Sequence, residues 1–187
     1  MQKLPHQLIS GKQARLFSSL KLSNKELIAT STLLAVFMAT FSFNAIALND
    51  EQELEFTGAV NIGDIKTVKR YVETTNVKID DSYFAWTPFL MAAAKNQLEV
   101  MKYLVSKGSN IAYTHPITKF NALHHAAFNG SQLMVDYLID IGIDKSQKLR
   151  GDVSLIRALQ EDRKPKMAKY LLSIGFVDDG CQEKRCF

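Results

Sequence analysis

Apolar residues recur in this chain as short clusters at helical spacing, and the clusters themselves recur at a near-constant interval. Val100, Met101, Leu104 and Val105 fall at i, i+1, i+4 and i+5, one face of an α-helix. Val68, Tyr71 and Val72, then Val135, Leu138 and Ile139, then Ala168, Leu171 and Leu172 draw that face again. Gly108, Gly142 and Gly175 follow three of the clusters, as residues able to take φ > 0 where a helix ends. Ahead of each cluster a first helix is expected to start, near Leu54, Thr87, Asn121 and Val153, at intervals of 32 to 34 residues. The fourth unit keeps this register with one extra residue around Lys164-Pro165. Each unit predicts a helix pair, and a pair this small buries its apolar face only by stacking on its neighbours.

The first helices carry the clearest punctuation. In Tyr83-Phe84-Ala85-Trp86-Thr87-Pro88-Phe89-Leu90-Met91-Ala92-Ala93 a short turn leads to Thr87, which can cap a helix. Pro88 then occupies the first turn, where a missing N–H costs nothing. Asn121-Ala122-Leu123-His124-His125-Ala126-Ala127 aligns with Thr87 to Ala93, and Asn129-Gly130 with Lys95-Asn96. The alanine pairs are small because helices must approach closely there. The first unit keeps Phe56, Ala59, Val60 and Gly63-Asp64 without a Thr-Pro entry. It opens on Asn49-Asp50-Glu51, a cap followed by acids that suit the positive end of a helix dipole.

This spacing with these residues resembles the ankyrin repeat, whose pattern runs roughly Gly-x-Thr-Pro-Leu-His-x-Ala-Ala, over about residues 50 to 176. Leu90 stands in place of the usual His, and Asn121-Ala122 and Val153-Ser154 in place of Thr-Pro. The resemblance implies an all-α ankyrin-repeat solenoid over residues 48–176. Its four helix-turn-helix repeats would run at about 50–82, 83–116, 117–149 and 150–176, joined by short β-hairpin or turn fingers. Residues 177–187 are left as a C-terminal tail.

The front of the chain is a different object. Lys3, Lys12, Arg15, Lys21 and Lys25 precede an uncharged, mostly apolar run from Leu27 to Phe43. Small residues at Ala45 and Ala47 suit a signal-peptidase cut between Ala47 and Leu48, so residues 1–47 read as a signal peptide. The rival is an uncleaved anchor, since Leu27 to Ala47 is just long enough to span a bilayer; its Thr and Ser content weighs against that. Both readings put the repeats across the membrane, in a bacterium the periplasm. There a disulfide between Cys181 and Cys186 is favoured over a metal site or free thiols.

Charge follows the same division. The chain holds 23 basic and 19 acidic residues. Five of the basic residues and one acid, Glu26, precede Leu48, so the remainder is balanced. Nucleic-acid binding needs a clustered basic surface, and none is expected here. Arg163-Lys164-Pro165-Lys166, the densest basic run, reads as a solvated turn.

Chemistry has no assembled site in the sequence. His124 holds the repeat position whose His ties the turn to the helix start, and His115 precedes Pro116 in a loop. No nucleophile elbow, phosphate-cradling loop or His-x-x-x-His pair occurs, so neither an enzyme nor a cofactor is expected. A protein partner is expected instead, bound by a monomer. The ankyrin resemblance places its variable contact positions at Tyr83, Phe84, Trp86, Ala94 and Lys95. In the third unit they are Ile117, Thr118, Phe120, Phe128 and Asn129. The fourth gives Leu149, Arg150, Asp152, Gln160 and Glu161. Tyr113 and the inward-facing His125 join them. Tyr83 and Trp86 are the foremost contact candidates, while Phe84 and Phe120 stand equally between contact and packing on a neighbouring repeat.

Overall fold

The computed structural model describes residues 48–75, 77–181 and 183. The leader, the cut after Ala47, and Cys186 of the expected Cys181–Cys186 disulfide lie outside the described residues. Among those described there are eight helices in four pairs and no strand longer than an isolated bridge. They are α1 (Asp50–Ile62) with α2 (Ile65–Thr74), α3 (Pro88–Ala94) with α4 (Leu98–Ser106), α5 (Ala122–Phe128) with α6 (Gln132–Asp140), and α7 (Leu155–Glu161) with α8 (Pro165–Ser173). The inner helices α1, α3, α5 and α7 pack in series, each against its own outer helix. None of these helices is long and apolar enough to cross a membrane.

Capping sets where the inner helices begin. Thr87 Oγ1 accepts the Leu90 N–H at 3.3 Å, with Pro88 in the first turn. Asn121 Oδ1 accepts the His124 N–H at 3.1 Å, and His124 Nδ1 accepts the Asn121 N–H at 3.1 Å. Ser154 Oγ accepts the Arg157 N–H at 3.1 Å. These caps are almost fully buried, so an N–H at the start of each of α3, α5 and α7 is satisfied inside the stack. Ser154, not Val153, is thus the fourth cap. The extra residue expected near Lys164-Pro165 is not needed, because the interval from Asn121 becomes 33.

α1 opens at the cap expected from Asn49-Asp50-Glu51, ahead of the interval mark at Leu54. Its cap is Asn49, in a reciprocal capping box with Gln52. The helix therefore starts more than a turn before Leu54, and that residue lies exposed on its side. With no Thr-Pro entry to stop it, the helix extends back to the nearest good cap.

The turn inside each pair repeats one backbone solution. Gly63, Asn96, Gly130 and Arg163, spaced by 33 or 34 residues, all sit at positive φ, from 57° to 82°. Gly108, Gly142 and Gly175 end the outer helices at φ 84° to 91°. The core is the seam between repeats. Ala92, Ala93, Ala126 and Ala127 are wholly buried there, with Phe89, Leu90, Met101, Leu104, Met134 and Leu138 around them. Side chains also tie one repeat to the next. Gln97 donates to the Asn61 carbonyl at 3.0 Å, and Tyr103 Oη to Glu73 at 3.0 Å.

The tail closes the last repeat. Cys181 N–H donates to the Asp152 carbonyl at 2.7 Å, and the Ser154 hydroxyl donates to Asp178. Gly180 lies so close that a Cβ there would collide with Ser154 N and Asp152 O.

Candidate functional site

The finger before α3 is a two-residue hairpin. Tyr83 and Trp86 exchange both backbone hydrogen bonds, at 2.9 and 3.0 Å. Between them Phe84 and Ala85 take φ 52° and 67°. Positive φ at both central residues matches the twist of a tight hairpin, and Asn-Gly usually fills it. Here an L-phenylalanine does, at a cost of roughly 1–2 kcal/mol, and its side chain is 100% exposed. Tyr113 steadies the tip from the next finger, its hydroxyl donating to the Ala85 carbonyl at 2.7 Å.

Beside this tip runs a groove of about 780 Å³ along the inner helices. One wall is a single face of α1, namely Asp50, Glu53, Leu54, Thr57 and Asn61, at helical spacing. The other wall is Tyr83, Phe84 and Trp86, with Met91, Ala94 and Lys95 of α3 along the floor and far end. Leu54 is 73% exposed, so two large apolar side chains face solvent across one cleft. Tyr83 is half-buried, its ring edge-on to Phe56 at 6.2 Å. Burial, with the charges of Glu53 and Asp81, pushes its hydroxyl pKa up to about 12.

Deeper along the inner face the remaining aromatic candidates form one cluster. Trp86 lies 5.3 Å from the His115 ring and 5.1 Å from the His125 ring. Phe120 stacks on Phe128 at 5.3 Å and contacts His124 and His125 at 5.6 and 5.3 Å. His115 is buried, and its Nδ1 accepts from Ile117 and Thr118 N–H at 3.4 Å, closing the third finger. Burial pulls the His124 pKa down to about 4, with His125 adding to the shift and the Gln147 backbone and Asp144 opposing it. Burial and then His115 pull His125 down to about 4 as well. His124 and His125 are therefore neutral at neutral pH. Among the described residues no set of three or more His, Cys, Asp or Glu is placed to hold a metal.

Of the expected contact residues, Tyr83, Phe84, Trp86 and Lys95 come together in the groove. Phe120, His125 and Phe128 join the ring cluster, and Tyr113 braces the first hairpin. Asn129 is a tie between repeats, donating to the Ala93 and Ala94 carbonyls at 3.0 and 3.1 Å. Arg150 sits exposed on the fourth finger, its N–H donating to the Thr118 carbonyl at 3.4 Å. Leu149, in a variable position by register, is buried. Phe84 is fully exposed, whereas Phe120 is half-buried, its ring packed on His124, His125 and Phe128 of its own repeat. The α1 wall was absent from the expected contact residues because contact positions were carried over only to the second, third and fourth units. The signal was present in the Asn49 cap, which puts residues 50, 53, 54, 57 and 61 on one face.

Ankyrin repeats (3 copies) is the family model that matches, over residues 56–149, half of the chain. The fourth helix pair lies past that match and repeats its register. No curated protein matches the chain at a significant level.

Proposed function

This chain belongs to the ankyrin repeat family, a protein–protein interaction module, and from that premise we propose that it is a non-enzymatic binder of one specific protein partner in the bacterial periplasm. The partner is held by the groove between α1 and the first hairpin. The observation that carries this reading is Phe84, wholly exposed on a turn that penalises its backbone. Strain of this kind persists where the surroundings hold it in place, and it concentrates at ligand contacts. Large exposed aromatics beside a cleft are also the side chains that dominate interface energetics.

Export rests on the basic-then-apolar leader and the small residues at Ala45 and Ala47. Cleavage after Ala47 would leave Asn49 free to cap α1, and would expose Cys181 and Cys186 to an oxidising compartment where they pair. The most concrete form of the role is an immunity or inhibitor protein that blocks a toxin or secreted enzyme. The alternative, a membrane-tethered scaffold recruiting an envelope complex, keeps residues 1–47. The intact mass of the protein from its native host separates the two. A chain starting at Leu48 supports the soluble binder, and an intact Met1 supports the scaffold.

Capture from periplasmic extract tests the binding site. Phe84→Ala should abolish partner capture with an unchanged circular dichroism spectrum and Tm. Undiminished capture by that variant would remove the groove from the account.

A further inference from the structure

The charged residues that line the groove are mostly acids. Several acids elsewhere are ion-paired: Glu55 with Arg70 at 2.5 Å, Glu99 with Lys102 at 3.1 Å, Glu161 with Arg157 at 2.8 Å. Asp50 and Glu53, on the groove wall, make no ion pair among the described residues. They stand on the same face of α1 as exposed Leu54, opposite Phe84, and Asp81 adds a third negative charge close to Tyr83. Among the described residues the one cation lining the groove, Lys95, caps the C-terminal end of α3. The site thus offers an apolar slot between Leu54 and Phe84, with unneutralised carboxylates at the hairpin end.

Resting on the reading of this groove as the binding site, we propose that it recognises a partner segment with a large apolar side chain and, within a few residues, an arginine or lysine. The apolar group enters between Leu54 and Phe84. The cation lies against Asp50 and Glu53, over the aromatic hairpin, where ring faces and carboxylates both favour positive charge. An acidic segment would meet repulsion at the same place, so the carboxylates select against it as well as for its opposite.

Selection of a random peptide display library on the full chain tests this, keeping only clones whose binding falls when Phe84→Ala replaces the wild type. Those clones should be enriched in Arg or Lys near a large apolar residue. As synthetic peptides they should lose about thirtyfold or more in affinity on Phe84→Ala. Asp50→Asn with Glu53→Gln should cost them about threefold, a loss that shrinks in high salt. Lys95→Glu, on an exposed position, should tighten binding of the same peptides, so the assignment does not depend on a loss alone. Phe84-dependent clones that are acidic, or purely apolar and indifferent to Asp50 and Glu53, would overturn the charge assignment and leave the binding groove standing. A Phe84-dependent self-association of the chain in place of peptide binding would overturn it too. Failure to recover any Phe84-dependent clone would sink both readings.

Discussion

Phe84 concentrates the functional argument at one residue. Its left-handed backbone favours glycine, while its exposed ring contributes nothing to the core. Phe84→Gly should therefore raise stability by up to about 1 kcal/mol and weaken partner binding, measured by urea denaturation beside a binding assay. A fall in stability would mean that the ring packs on the stack in solution. The two neighbouring histidines set a pH dependence. Both have folded-state pKa values of about 4 against 6.5 for a free imidazole, with burial the main cause. Between pH 6.5 and about 4 the unfolded chain binds protons that the folded chain refuses. Stability is thus full above pH 6.5 and falls as pH drops through that window. The urea midpoint should be lower at pH 4.5 than at pH 7, and His125→Phe should reduce the difference; equal midpoints would contradict the burial of these rings.

At the scale of the element, what the sequence made legible depends on which signal placed it. Thr87-Pro88 and Asn121 are strong local caps, and α3 and α5 begin where those residues demand. Leu54 and Val153 were interval marks: the Asn49 cap, legible beside the first, does open α1, whereas Ser154 rather than Val153 caps α7. The glycines after the outer helices were readable because the αL requirement is written in residue type. The same requirement at Asn96 and Arg163 was not, since neither is glycine, and only the stack's register exposes it. Arg163 holds φ 57° where the first and third repeats use Gly63 and Gly130. Its side chain makes no hydrogen bond or ion pair among the described residues. Arg163→Gly should raise Tm by a few degrees, from a gain of about 0.5–1 kcal/mol, as thermal denaturation would show. A lower Tm would mean that Arg163 holds the fourth turn through contacts of its stem. The Tyr103–Glu73 and Tyr170–Asp136 ties between outer helices were also illegible, because pairing across a repeat interface depends on helix rotation that spacing leaves open.

Across the folded repeats, inner helices and fingers build one side and outer helices the other. The interaction module is assigned to the first side because its groove gathers exposed Phe84 and Leu54 with unpaired Asp50 and Glu53. The outer side spends polar groups on holding repeats together, as Tyr103–Glu73, Lys107–Glu73 and Tyr170–Asp136 do. Only half of this site was visible in the sequence. The hairpin announced itself by its aromatic run, whereas the α1 wall drew no contact position from the repeat register even with its Asn49 cap legible. Hydrogen–deuterium exchange of the chain with and without its captured partner tests the assignment most directly. The account predicts slowed exchange in residues 50–61 and 83–95, with α4, α6 and α8 unchanged. Protection confined to those outer helices, with the hairpin and α1 exchanging as in the free protein, would contradict it.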